Sequence, residues 1–263
     1  MKSMTKEELQ DVLLEIAKEF HRICTRNNIP YYMLGGTMLG AVRHKGFIPW
    51  DDDMDFGIPR KDFKRCLDIL NKELPEKYEM LSIDCSKCIL NECVKISDKH
   101  TLIHEFYKEN CVNEFGVNID LFPLDFTDDN LGLFSRNRMI DILHKIQQYR
   151  FLSVKQRPIH KKVVAFLVKI IFFPLGRKNM VNYIQRFLLL ETGNCMANHC
   201  GAWGLKEIIS NNVMGTPQLY SFEDTQFYGV QDADAYLKCL YGNYMQLPPK
   251  DKRHLHIIHA FFK

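Results

Sequence analysis

Leu34–Ile58 reads LGGTMLGAVRHKGFIPWDDDMDFGI, and the fold and chemistry of the chain are decided inside it. A short apolar strand, Tyr31–Leu34, runs into Gly35-Gly36. Thr37–Arg43 then reads as a short helix that Thr37 is placed to cap. Glycines between a strand and a helix let backbone N–H groups come close to an anion, and the helix N-terminus adds a partial positive charge. Thr37 offers a hydroxyl, so Gly35, Gly36 and Thr37 form a candidate phosphate cradle. Arg43, His44 and Lys45 supply cations nearby, and an arginine is well shaped for bidentate phosphate contact. A plain turn and a solvated basic loop are the alternatives for these two stretches taken singly.

Asp53–Ile58 alternates acid and apolar residues, the pattern of a strand. Residues two apart in a strand share a face, about 6.5–7 Å apart. Asp53 and Asp55 therefore project together, while Met54 and Phe56 face the core. Two carboxylates side by side repel each other. A hard dication such as Mg²⁺ (or Mn²⁺) removes the repulsion, because it prefers oxygen ligands and also binds substrate phosphates. A solvated acidic turn is the alternative, and Trp50, Met54 and Phe56 argue against it. Asp51 and Asp52 lie ahead of the strand and need another explanation.

A metal-dependent transfer site needs a third acid, and Val117–Phe122 (VNIDLF) offers Asp120 within an apolar strand. A carboxylate there is costly unless paired or metal-bound. Asp120 either completes the metal shell or takes the proton of an attacking hydroxyl. Asp125, just past Pro123, is the second candidate.

Outward from these motifs, Glu7–Asn28 has Leu9, Val12, Leu13, Ile16, Phe20 and Ile23 at helical spacing. Lys61–Leu70 is the next helix. Glu79–Ile83, Glu92–Ser97 and Leu102–Tyr107 read as strands beside Val117–Phe122. Helices are expected at Asn130–Leu152, Lys161–Phe173, Lys178–Thr192 and Asp232–Leu240. The fold class is α+β: a mixed sheet with flanking helices, followed by a helix-rich C-terminal half. We divide it as 1–129, the catalytic core, and 130–263, which completes the site.

The chain of 263 residues is 46% hydrophobic and 25% charged, an ordinary globular composition that can bury a substantial core. Its net charge of +3 gives no support to nucleic-acid binding. Met1–Glu19 has no apolar central stretch of a secretory signal, and the nine cysteines suit a reducing cytoplasm. Cys85, Cys88 and Cys93, with Cys111, raise structural zinc, but a single C-x-x-C with no matched second pair favours free thiols. Val163–Leu175 is strongly apolar, interrupted by Lys169 and flanked by Lys161, Lys162, Arg177 and Lys178. A membrane span needs about 20 apolar residues, which this run lacks. Its first reading is a core helix of a helical subdomain. Its second is a helix lying on an anionic leaflet, giving peripheral membrane contact through 161–178.

The order of a Gly-Gly turn, a strand with two alternating acids and a later strand with one acid resembles the nucleotidyltransferase superfamily. The full string Leu34–Ile58 is more specific and resembles the LicD family of phosphotransferases, with a core similar to the fukutin-related phosphoribitol transferases. Lys95-Ile96-Ser97 followed by Thr101 resembles the family's next block, and Val117–Asp125 (VNIDLFPLD) the block with the third acid. Tyr236-Leu237, Tyr241–Pro249 (YGNYMQLPP) and Arg253 resemble its closing motif, in which Asn243 replaces the commoner aspartate. Residues 131–213 match no motif. The resemblance implies CDP-choline or another CDP-alcohol as donor, CMP as leaving group, and a cell-surface glycan as acceptor, an oligosaccharide or a lipid-linked one. It makes Asp53, Asp55 and Asp120 the metal ligands and catalytic acids. It makes Gly35, Gly36 and Thr37 donor-phosphate contacts, with Arg43 and Lys95 beside them. The place implied is the cytoplasm, at the inner face of the membrane. Two rivals stand beside this reading: transfer of a nucleoside monophosphate to a hydroxyl or amine, and a non-catalytic binding module.

Overall fold

Alternation in Asp55–Pro59 and the apolar run in Asn118–Thr127 place two strands at the centre of the molecule, where they pair in parallel. The computed structural model describes residues 1–86, 89–105, 115–151, 159–172, 174–187, 189–249 and 257–263. Cys88, Cys111 and Arg253 lie outside the described residues, as do Tyr107, Leu152, Phe173 and Leu188 of four expected elements.

The first half runs β1 (Lys2–Ser3), α1 (Lys6–Arg26), β2 (Tyr32–Met33), α2 (Gly35–Arg43), β3 (Asp55–Pro59) and α3 (Arg60–Glu73). Next come β4 (Tyr78–Leu81), β5 (Val94–Asp98), β6 (Thr101–Glu105) and β7 (Asn118–Thr127). The second half runs α4 (Arg136–Phe151), α5 (Ile159–Ile171), α6 (Arg177–Phe187), β8 (Cys195–Ala197), β9 (Ile208–Ser210) and α7 (Asn211–Met214). It ends with β10 (Gln218–Phe222), β11 (Thr225–Gly229), α8 (Ala233–Tyr241) and β12 (Ile257–Phe262). The main sheet has the order β2-β3-β7-β5-β4, and the far end of β7 carries β8 and β9. Only the β3–β7 pair in it is parallel. The α+β class holds. The helix-rich second half also carries strands β8 to β12, which are short and lack a long alternating pattern.

Helix α1 forms because its apolar residues recur on one face and its start is doubly capped. The Thr5 hydroxyl accepts from the Glu8 N–H, and the Glu8 carboxylate accepts from the Thr5 N–H. Its buried face, including Leu13, Ile16, Phe20 and Ile23, lies in the main core with Phe56 of β3. Phe20 meets Phe56 at 5.1 Å between ring centroids, a distance at which aromatic pairs are favourable. Met54 and Phe56 are fully buried, as the alternation requires.

The main core draws on residues from Leu9 to Ala260, while Ile140, Met180 and Ile184 form a second, small core between α4 and α6. Helix α5 is not a core helix. Ala165 is its one buried residue among those described, and Val163, Phe166, Leu167 and Ile170 are exposed. The core-helix reading failed because apolarity alone does not say on which side a helix finds a partner.

Candidate active site

Strand register brings three charges into one row. Asp55 lies opposite Asp120 across β3–β7, and Asp120 lies opposite Lys95 across β7–β5. Lys95 is nearly buried, and its ammonium pairs with the Asp120 carboxylate and donates to Asn118 Oδ1 at 2.9 Å. The sequence made Lys95 a phosphate contact; the structure turns its head to an acid of the site. Burial in an apolar strand explains this, since a lysine there needs a counter-charge.

The Asp55 carboxyl is held well above the ordinary carboxylate range. Burial is the largest cause, followed by the charges of Asp53, Asp120 and Asp51, while Lys95 pulls the other way. Four carboxylates with one close ammonium make a site that attracts further positive charge. All the donors are carboxylate oxygens, the set that suits a hard dication such as Mg²⁺ or Mn²⁺.

Two expectations change in detail. Strand β3 begins at Asp55, so Asp53 precedes the ladder instead of alternating within it. Pairing with β2 and β7 decides where a strand begins, and alternation cannot show that. Among the described residues, the acids whose ligand atoms all come within 4.8 Å of one another are Asp51, Asp52 and Asp53. Asp53 belongs to that cluster, and its charge also acts on Asp55. Asp125, the second candidate for the third acid, is taken up elsewhere. Arg60 donates to both of its oxygens at 2.6 and 3.0 Å and binds Glu92 as well.

The glycine turn lies directly against the acids. A Cβ on Gly36 would come within 2.9 Å of Asp51 Oδ2, so any side chain there would displace the acid. Gly35 has φ +48°, in the left-handed region that favours glycine. Helix α2 begins at Gly35 after Leu34, two residues earlier than expected, and Thr37 does not cap it. The Thr37 hydroxyl is buried and accepts the Asp55 N–H at 2.8 Å, which pins β3 to the first turn of α2.

The remaining wall comes from α8, which packs on α2. The Gly35 N–H donates to Tyr236 Oη at 3.0 Å. Tyr241 Oη lies 3.7 Å from the place a Cβ on Gly35 would take, as does Asp55 Oδ2. Burial pushes the Tyr241 hydroxyl up, and the charges of Asp55 and Asp51 add to it. The indole of Trp203 meets the Tyr241 ring edge-on at 5.0 Å, and Trp203 is 44% exposed. Arg43 donates to the Tyr244 carbonyl at 2.6 Å and to His44 Nε2 at 2.9 Å. It therefore fastens the closing motif to α2, where a phosphate contact was expected. Neither Tyr236 nor Tyr241 was assigned a role in the site from sequence. Their signal was the closing motif itself, whose position relative to the acids is invisible without the fold.

Cys85 is exposed and Cys93 buried, both as free thiols. Among the described residues no cysteine joins a cluster fit for a metal.

Residues 28–155 match the family profile described as LicD/FKTN/FKRP, nucleotidyltransferase domain. The lipopolysaccharide cholinephosphotransferase LicD of Haemophilus influenzae is 29% identical over 269 residues, covering 99% of each chain. The ribitol 5-phosphate transferase FKRP of Homo sapiens is 36% identical over 105 residues, 38% of this chain and 21% of that protein. An uncharacterized Rickettsia typhi protein, RT0683, is 35% identical over 116 residues, 43% of this chain and 37% of that one.

Proposed function

Residues 28–155 make this chain a member of the LicD family and a phosphotransferase, and from that premise we propose that it transfers phosphocholine or a similar phospho-alcohol. The donor in this reading is a CDP-alcohol, the acceptor a hydroxyl of a cell-surface glycan, and the leaving group CMP. The Haemophilus influenzae relative, similar along its whole length, is named for cholinephosphate transfer to lipopolysaccharide. The human relative, similar over 38% of this chain, is named for ribitol 5-phosphate transfer. The two names differ in the alcohol moved and share its transfer as a phosphate, so the reading rests on phosphate handling.

One observation carries the reading: the Gly35-Gly36 turn abuts Asp51 and Asp55, and Asp55 stands opposite Asp120 across the parallel pair. Asp53, Asp55 and Asp120 would hold Mg²⁺ or Mn²⁺. The ion would supply charge stabilisation for the diphosphate and its leaving oxygen. The chain's own residues do the rest. Tyr236, taking the Gly35 N–H, fixes the turn, and the N-terminal end of α2 offers its partial positive charge to an incoming phosphate. Lys95 offsets part of the negative charge that would otherwise repel a diphosphate. Asp120 is placed to orient the acceptor hydroxyl or take its proton. Positioning and preset charge account for most of phosphoryl transfer, so these roles are sufficient. Residues 1–129 in this proposal form the catalytic core. Residues 130–263 complete it through Tyr236 and Tyr241 and supply the acceptor side.

The profile's own description, a nucleotidyltransferase domain, favours one second reading: transfer of a nucleoside monophosphate. Purified protein is incubated with CDP-choline, CDP-ethanolamine, CDP-ribitol or ATP, with Mg²⁺ or with EDTA. Release of CMP that needs Mg²⁺ and falls at least about a hundredfold in Asp53→Asn is expected. Pyrophosphate from ATP, with no CMP from any CDP-alcohol, would establish the second reading instead.

A further inference from the structure

Charge along this chain is far from even. Residues 142–190 hold ten of the 35 basic residues and none of the 32 acidic ones. A chain of net +3 is therefore +10 in that stretch and −7 in the rest. The stretch contains α5, the most apolar exposed element of the molecule.

The helix presents its surfaces in a definite order. Ala165 is 1% exposed and marks the line on which α5 rests, beside α4. At about 100° per residue, Ile159, Val163, Phe166, Leu167, Ile170 and Ile171 fall about 100–240° round from that line. These six side chains are between 51% and 79% exposed. The apolar face thus points away from the protein. Lys161, Lys162 and Lys169 lie within about 60° of Ala165, behind that face. Among the described residues these lysines have no acidic partner.

We propose that α5 is a docking helix that lies in the surface of an anionic lipid leaflet, apolar face down. An apolar stripe backed by lysines is the arrangement that buries side chains among acyl chains while the ammonium groups reach headgroup phosphates. The helix does not cross. Its 13 residues span about 20 Å against a hydrocarbon core of about 30 Å. No helix among the described residues is long and apolar enough to cross a membrane. A second copy of the chain is a poor occupant, because it would bring two segments of net +10 together. Nucleic acid is a poor one too, because the outermost side chains are apolar and the lysines stand behind them.

The inference is independent of donor and acceptor, and it is tested without turnover. Full-length protein is floated with vesicles of phosphatidylcholine alone and of phosphatidylcholine with phosphatidylglycerol, at low and high salt. Binding to the anionic vesicles, weakened by salt, is expected. Lys161→Gln, Lys162→Gln and Lys169→Gln together should lower affinity on the order of a hundredfold, at about fivefold per lysine. Phe166→Ser with Ile170→Ser should abolish binding at either salt concentration. All five positions are exposed, so circular dichroism and melting should match the wild type. Three results would overturn the proposal. One is wild-type protein that ignores anionic vesicles, and another is variants that bind as wild type does. The third is light scattering that shows an oligomer dissolved by Phe166→Ser with Ile170→Ser.

Discussion

Lys95→Met is the sharpest probe of the charge row. Lys95 and Asp120 are 9% and 23% exposed at their side chains. Removing one partner of a fully buried ion pair costs about 3–5 kcal/mol, whereas exposed pairs are worth about 0–1. With Asp120 almost a quarter open to water, a cost of about 2–3 kcal/mol follows for Lys95→Met. For a chain of this size that lowers the melting temperature by about 4–12 °C. The loss has two parts. Asn118 Oδ1 loses its donor, and Asp55 and Asp120 lose the cation that offsets their repulsion. Removing both charges should hurt less than the sum of the two changes, since Lys95→Met with Asp120→Asn leaves Asp55 without the repelling Asp120 charge. Urea unfolding in EDTA of wild type, both single variants and the double variant gives the coupling directly. Mg²⁺ should restore part of the loss in Lys95→Met, because it takes over the missing positive charge. A cost below about 0.5 kcal/mol, or strictly additive single variants, would refute the assigned pair.

Two further outcomes follow from the far wall. Burial pushes the Glu207 carboxyl up to about 7 from 4.5, against the opposing Trp203 N–H. The folded protein therefore keeps a proton that the unfolded chain releases between those values. The contribution is full below pH 4.5 and lost by about pH 7, worth about 3 kcal/mol. Melting curves across that window should flatten in Glu207→Gln, and parallel curves would show that the carboxyl is not the titrating group. Tyr236→Phe strands the Gly35 N–H, at about 1–3 kcal/mol of stability. It should also slow CMP release, because the turn proposed to receive phosphate loses its fastening; unchanged release would remove Tyr236 from the site.

Local pattern revealed what local physics controls. The helical spacing of Leu9, Leu13, Ile16 and Phe20 fixed the buried face of α1, and Met54 and Phe56 went to the core as alternation demands. Asp55 and Asp120 face each other because two apolar strands with single acids pair in parallel. What the sequence could not show depends on partners far along the chain. Lys95 chose Asp120, Arg43 chose the Tyr244 carbonyl, and Arg60 took Asp125 out of contention. Thr37 serves the strand behind it, because the Asp55 N–H needs an acceptor at the edge of the ladder. The apolar face of α5 was plain in sequence, but its outward direction was not.

The clasp on α2 has a consequence for how the protein is made. Gly35 and Tyr236 are separated by 201 positions, and so are Arg43 and Tyr244. At about 5–20 residues per second, a ribosome needs about 10–40 s to supply the second half of each contact after the first has emerged. During that interval the acids and glycines already exist, yet the first turn of α2 lacks its fastening to α8. The clasp therefore forms only after most of the chain has been made, and a fragment matching residues 28–155 alone lacks it however well its sheet folds.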